Sequence, residues 1–165
     1  MGGKLSTPAV QISAPPAAVF DLITNLFDYP KWGMPFTIQM DLQNGNGRTT
    51  LEPGNVIIEH VVLNPDVPTS VRLQRVVVTE ILSQPEAGLF RVCWESIMGY
   101  TWILHAVRVQ EVRARGGGEC VYETSDTMTG LLVPIVFLLY GSAVTRGFAA
   151  QGIALKARAE KFGDR

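Results

Sequence analysis

The stretch GLLVPIVFLLYGSAV, Gly130 to Val144, carries no charged residue in a chain that otherwise mixes both signs of charge. It reads as a membrane span, as a core helix, or as the wall of a cavity for something apolar, and the choice decides the fold. A span needs about 20 apolar residues. This run is shorter, contains Pro134 and Gly141, and meets Arg146 just beyond its end. The helix it opens, read from Val133 to Phe162, then turns amphipathic. Phe137, Val144, Phe148, Leu155 and Phe162 fall on one side, with Arg146, Lys156 and Glu160 away from it. Pro134 belongs to the first turn, where a missing N–H costs nothing. The stretch is therefore expected to form the lid-side wall of an internal pocket, with sheet on one side and loops and short helices on the other. No stable membrane insertion is expected.

The segments before it supply that sheet. Thr7 to Ser13 alternates as a first strand would, leaving residues 1–6 as an N-terminal tail and residues 7–165 as a single domain. Pro15 and Pro16 open a helix that places Val19, Phe20, Ile23 and Phe27 at helical spacing. Asp28 suits the cap of a second short helix through Trp32, ended by Gly33 and Pro35. Six strand-like segments follow: Phe36 to Gln43, Asn55 to Leu63, Val71 to Leu82, Leu89 to Glu95, Thr101 to Arg113 and Cys120 to Met128. NGNG, NPDVP, SQPEAG, MGY and RGGGE separate them with turn chemistry. Short turns between strands predict an antiparallel sheet with one apolar face, and only the last helix is long enough to cover it.

Composition narrows the function. Fourteen basic residues against fifteen acidic ones, in a chain of 165, leave no basic face for nucleic acid. Cys93 and Cys120 are far apart and read as free thiols of a reducing, cytoplasmic compartment. No Cys or His pair has metal-ligand spacing, and no Gly-rich phosphate loop or Gly-x-Ser-x-Gly elbow is present. Chemistry without metal or cofactor is the expectation. MGGKLS fits the pattern for N-myristoylation at Gly2, with Ser6 in the required place. So short a pattern also arises by chance, and one acyl chain anchors only marginally.

The element order resembles the helix-grip fold of the START/Bet v1-like superfamily, which includes polyketide cyclase/dehydrase-like proteins. Ile12 to Trp32 is similar to that family's opening strand, helix and turn. FRVCWES (Phe90 to Ser96) resembles its strand with arginine and tryptophan. AVRVQEV, then VYETSDTMTGLLVPIV, resemble its last strands and the Gly-Leu turn into the final helix, and ALKARAEKF resembles that helix's end. The resemblance implies an α+β fold in which a curved antiparallel sheet of about seven strands wraps around the long C-terminal helix, with two short helices after the first strand. It also implies a cavity for a hydrophobic small molecule.

Alternation along the strands then assigns side chains to that cavity. In Thr101 to Arg113 the odd positions Ile103, Val107 and Val109 are apolar and Arg108 and Gln110 are even, which puts His105 inside. Around Val56 the set Val56, Ile58, His60 and Val62 places His60 inside and Glu59 outside, although Ile57 and Val61 share Glu59's face. In the last strand Tyr122, Thr124, Asp126 and Met128 are favoured inward, with Val121, Glu123, Ser125 and Thr127 as the alternative. His60, His105, Tyr122 and Asp126 are thus the candidate acid/base set. The candidate walls are Trp32, Phe36, Met40, Ile58, Trp94, Thr124, Phe137, Tyr140, Val144 and Phe148. Met34 stands near the mouth, and Gln151 flanks the apolar stripe. Arg72, Arg75 and Arg91 are read as outer cross-strand partners of Glu80 or Glu95, and Trp102 as core. Gly141, Gly147 and Gly152 each cost roughly 1 kcal/mol in a helix relative to alanine. They point to a bend, to room beside a ligand, or to close packing. Such a set suits cofactor-free cyclisation, dehydration or isomerisation of a polyketide- or terpenoid-like intermediate. A plain core role for each histidine, in a lipid or isoprenoid carrier, is the competing reading.

Overall fold

Runs of Val, Ile and Leu broken by Gly, Pro and Asn produce eight strands and three α-helices in the computed structural model, which describes residues 2–33, 36–43, 50–62, 71–97 and 99–163. Met34, the NGNG and NPDVP separators and the Phe162 side chain lie outside the described residues. In chain order come β1 (Gly2–Ser6), β2 (Val10–Ile12), α1 (Pro16–Thr24), a 3₁₀ turn (Leu26–Asp28) and α2 (Tyr29–Trp32). Then follow β3 (Thr37–Leu42), β4 (Val56–Val62), β5 (Val71–Gln84), β6 (Leu89–Ser96), β7 (His105–Gly116), β8 (Glu119–Thr129) and α3 (Val133–Gly163).

The sheet runs β1-β8-β7-β6-β5-β4-β3, antiparallel throughout. β1 and β2 lie end to end along β8, on residues 125–129 and 120–122, so eight strands fill seven positions. Residues 2–6 are therefore a sheet edge rather than the expected tail. The Gly2–Ser6 backbone finds its hydrogen-bond partners on β8, which a free tail would lack. Thr101 to Leu104, expected as strand, is a turn that precedes β7. Phe27 falls in the 3₁₀ turn and points to solvent, because the tighter turn breaks the helical spacing set by Val19, Phe20 and Ile23.

Between β8 and α3 the chain reverses at Gly130, with φ of 122°. A Cβ there would stand 2.5 Å from the Ile103 carbonyl oxygen, so glycine is required on both counts. The helix that follows crosses the concave face and covers two clusters. Its C-terminal half, through Leu155 and Ala159, packs on Ile12, Ile23, Val92, Val112 and Tyr122. Nearer the N-terminal half the smaller group Phe36, Val61, Val144 and Phe148 surrounds open space. The first turns of α3 are not sheathed by loops and short helices, as the sequence suggests. Ile135, Leu138 and Leu139 face solvent, because α1 and α2 pack farther along the helix.

Candidate functional site

The open space is a cavity of about 330 Å³ between the sheet and α3. Strand parity fixes its lining. Ile57, Glu59 and Val61 point inward on β4, Trp94 and Ser96 on β6, Ala106 and Arg108 on β7, and Asp126 and Met128 on β8. Phe36 closes one side, and Val136, Tyr140, Val144 and Phe148 of α3 form the roof. Arg72, Leu73 and Tyr140 are lining residues exposed to solvent and mark the mouth, and Leu104 completes the lining.

Strand register builds the polar floor. Trp94 sits opposite Arg108 across β6–β7, and Arg108 sits opposite Asp126 across β7–β8. Directly opposed side chains on one face stand about 5 Å apart at Cβ. Arg108 is buried and held from several directions. Its Nη2 donates to Gln151 Oε1, its Nε to Thr124 Oγ1 at 3.4 Å, and its guanidinium lies 4.3 Å from the Phe148 ring centroid. The Phe36 and Trp94 rings lie 5.8 and 5.9 Å away. Gln151 in turn donates to Thr37 Oγ1 at 3.4 Å. A cation this well fixed has little freedom to leave the floor.

Two carboxyls share the floor. Glu59 is 3% exposed and Asp126 is nearly as buried, and Glu59 Oε1 and Asp126 Oδ1 have no protein hydrogen-bond partner. Burial pushes the Glu59 carboxyl up to about 7, opposed by Arg108 and reinforced by Asp126. Burial raises Asp126 to about 6, with Arg108 again opposing. Near neutral pH the pair is poised to hold one proton between an acid and a base.

Both histidines lie on the other side of the sheet, which corrects their expected inward placement. His60 Nε2 pairs with Asp41 at 3.1 Å and His105 Nε2 with Glu95 at 3.2 Å. Apolar side chains mark the inside of a strand only where the cavity is apolar. On β7 the inward row holds Arg108 and Gln110, and Val107 and Val109 are half-buried on the outer face. On β4 the true inner set is Ile57, Glu59 and Val61, so Ile58 also faces outward.

Tyr122 and Thr124 point inward with Asp126, as the favoured parity has it, but they lie in the core beyond the cavity. The Tyr122 hydroxyl donates to Gln110 Oε1 at 2.6 Å, and Gln110 Nε2 donates to the Tyr29 hydroxyl at 3.3 Å. Burial raises both phenols. Phe36, Trp94, Tyr140, Val144 and Phe148 line the cavity. Trp32 instead packs on Tyr29 at 4.4 Å, Met40 joins the main core, and Phe137 covers Gly3 of β1. Trp102, expected in the core, is 61% exposed. Arg91 does pair across strands on the outer face, with Glu80 and more closely with Glu111. Arg75 donates to Gln43, and Arg72 turns to the cavity mouth. Among the described residues no three His, Cys, Asp or Glu side chains converge as a metal site requires.

A curved sheet clamped on one long helix, over a cavity with apolar walls and a charged floor, defines a helix-grip ligand-binding domain of the Bet v1-like kind. The chain belongs to the family described as polyketide cyclase/dehydrase and lipid transport, whose sequence profile matches residues 6–160. No curated protein sequence matches it. Among solved structures it is similar to a hypothetical protein from Helicobacter pylori, with TM-score 0.75 and 12% identity over 95% of this chain and 88% of that one. It is also similar to norcoclaurine synthase from Thalictrum flavum, with TM-score 0.67 and 14% identity over 98% and 96%. The Zhui aromatase/cyclase from Streptomyces sp. R1128 gives TM-score 0.66 and 12% identity over 98% and 95%. At these identities the likeness concerns the fold.

Proposed function

We propose that the protein binds a hydrophobic small molecule head-first and converts it by cofactor-free acid/base chemistry, as a cyclase, dehydratase or isomerase of an oxygen-bearing intermediate. The observation that carries this reading is the pair of buried carboxyls with unpartnered oxygens beside one fixed cation. The apolar walls take the body of the ligand, and its carbonyl oxygen lies against Arg108.

For a β-hydroxy carbonyl compound the steps balance without any co-reactant. Asp126, the more acidic of the two, takes a proton from the carbon beside the carbonyl, and Arg108 holds the oxyanion that forms. Glu59, the weaker acid, gives its proton to the hydroxyl, which leaves as water while the double bond forms. A proton passing from Asp126 to Glu59 resets the pair. In a β,γ-unsaturated ketone Asp126 takes the α proton and Glu59 gives its proton to the γ carbon, which moves the double bond. With a second carbonyl the carbanion attacks its carbon, Glu59 gives its proton to that oxygen, and a ring closes as a hydroxyl forms.

The competing reading is a lipid or isoprenoid carrier, favoured by the apolar residues Val61, Val76, Leu104, Met128, Val136 and Val144 in the lining. Incubation with 4-phenylbutan-2-one in heavy water separates the two. An enzyme speeds deuterium uptake beside the carbonyl, read by proton NMR, and Asp126→Asn abolishes the acceleration. A ketone that binds but exchanges no faster than in buffer overturns the catalytic reading and leaves the carrier.

A further inference from the structure

Large apolar side chains exposed to solvent are not scattered over this molecule. Among the described residues all but Phe27 and Ile153 belong to three segments, 71–73, 97–102 and 131–140. Backbone hydrogen bonds tie these segments to one end of the sheet. Leu131 N–H donates to the Trp102 carbonyl at 3.1 Å, Leu132 N–H to Ile103 at 3.0 Å, and Ile97 N–H to Arg75 at 2.8 Å. Leu73 and Tyr140, from two of these segments, are lining residues that are also exposed and so mark where the cavity opens, with Val136 lining it beside them. The patch is thus a collar around the opening.

We propose that this collar docks on the surface of a lipid bilayer, with the cavity mouth facing the membrane. Three features fit lipid. Leu138, at 85% exposure, and Leu139 protrude from α3, where a convex tip enters acyl chains more readily than it fills a protein groove. Tyr100 and Trp102, stacked at 6.2 Å and both exposed, are the residue types that settle at headgroup level. The charge is also complementary. Between Asp126 and Glu160 the chain has no acidic residue, segment 97–102 has no charge, and exposed Arg72 stands between Val71 and Leu73 to meet lipid phosphate. An apolar ligand then passes between bilayer and cavity without crossing water. The placement serves an enzyme and a carrier alike, so it stands independently of the acid/base chemistry.

The test is sedimentation of the full chain with vesicles of phosphatidylcholine, with and without phosphatidylserine. Binding to both, tighter with phosphatidylserine, is the expected result, and added salt should reduce only the phosphatidylserine increment. Leu138→Ser combined with Leu139→Ser is expected to weaken binding by about tenfold or more, since each loses a buried leucine's transfer free energy. Both side chains are exposed, so an unchanged melting temperature shows that the fold is intact. Trp32 and Trp94 are buried, so a blue shift of tryptophan emission on vesicles belongs to Trp102 and disappears in Trp102→Phe. Protein that stays in the supernatant with both vesicle types overturns the proposal, and so does binding unaffected by the double substitution. Self-association that is lost in the double variant, without vesicle binding, assigns the collar to a second copy of the chain instead.

Discussion

Arg108 of β7 lies 4.3 Å from the ring centroid of Phe148 on α3, and this contact joins the sheet to the helix at the cavity floor. The same guanidinium favours the ionised forms of Glu59 and Asp126, against the effect of their burial. Arg108→Met keeps much of the volume and removes the charge. Both carboxyls are then expected to titrate higher, read by carbon-13 NMR of the side chains. The pH at which ketone exchange gains its base should move up with Asp126. If the carboxyls titrate unchanged, Arg108 is not the group that balances them.

Stability should depend on pH through the same pair. The Glu59 carboxyl is raised in the folded state from 4.5 to about 7, and Asp126 from 3.8 to about 6. A raised acid contributes stability that is fully present below the unfolded value and is lost as pH rises through the folded one. Urea midpoints should therefore fall from about pH 4 to about pH 7. Glu59→Gln should flatten the upper part of that fall and be the more stable protein above it, by on the order of 2 kcal/mol. A parallel decline in the variant would show that Glu59 is not the source.

Gly147 of α3 tests whether helix glycines serve the cavity. A Cβ there would stand 2.3 Å from the Phe36 ring, so alanine must displace a cavity wall. Gly147→Ala should cost about 1–3 kcal/mol and weaken binding of an apolar probe. Gly141 has its nearest neighbour at 3.9 Å. Gly141→Ala should therefore be neutral or stabilising, by up to about 1 kcal/mol.

His60→Ala and His105→Ala should each leave ketone exchange within about twofold of wild type, because neither ring faces the cavity and general acid/base groups must reach the proton they move. Their positions also show what the sequence carried. Turn chemistry and strand alternation located the sheet, and helical periodicity located the long helix, since these report backbone geometry directly. The inner face of β8 was legible because Tyr122, Thr124, Asp126 and Met128 stay in phase with a buried row. The faces of β4 and β7 were not, because Glu59, Arg108 and Gln110 point inward where alternation reads polar as outside. The usable sign lay in Ile57 and Val61, apolar residues in phase with Glu59. Nor could the bare face of Ile135 and Leu138 be told from a covered one, since a buried helix and a membrane-facing helix share the same hydropathy.

Asp28 shows a residue type read correctly and a role read wrongly. It stands at the start of α2 but makes no cap with its side chain. Its carboxylate instead accepts from Lys31 at 2.8 Å and from Arg158 of α3 at 3.2 Å, tying the far end of the long helix to the short ones. Burial opposes its charge, yet these two cations outweigh it and hold the carboxyl below the usual range. Asp28→Ala leaves Arg158 without this partner and should cost about 1–3 kcal/mol near neutral pH. A lowered acid gives stability that is present above the unfolded value and lost as pH falls through the folded one. The difference between Asp28→Ala and wild type should therefore shrink on acidification below the ordinary aspartate range. The site is remote from the cavity floor, so ketone exchange by the folded variant should match wild type. Equal loss of stability at all pH values would assign the contribution to packing rather than to the ion pairs.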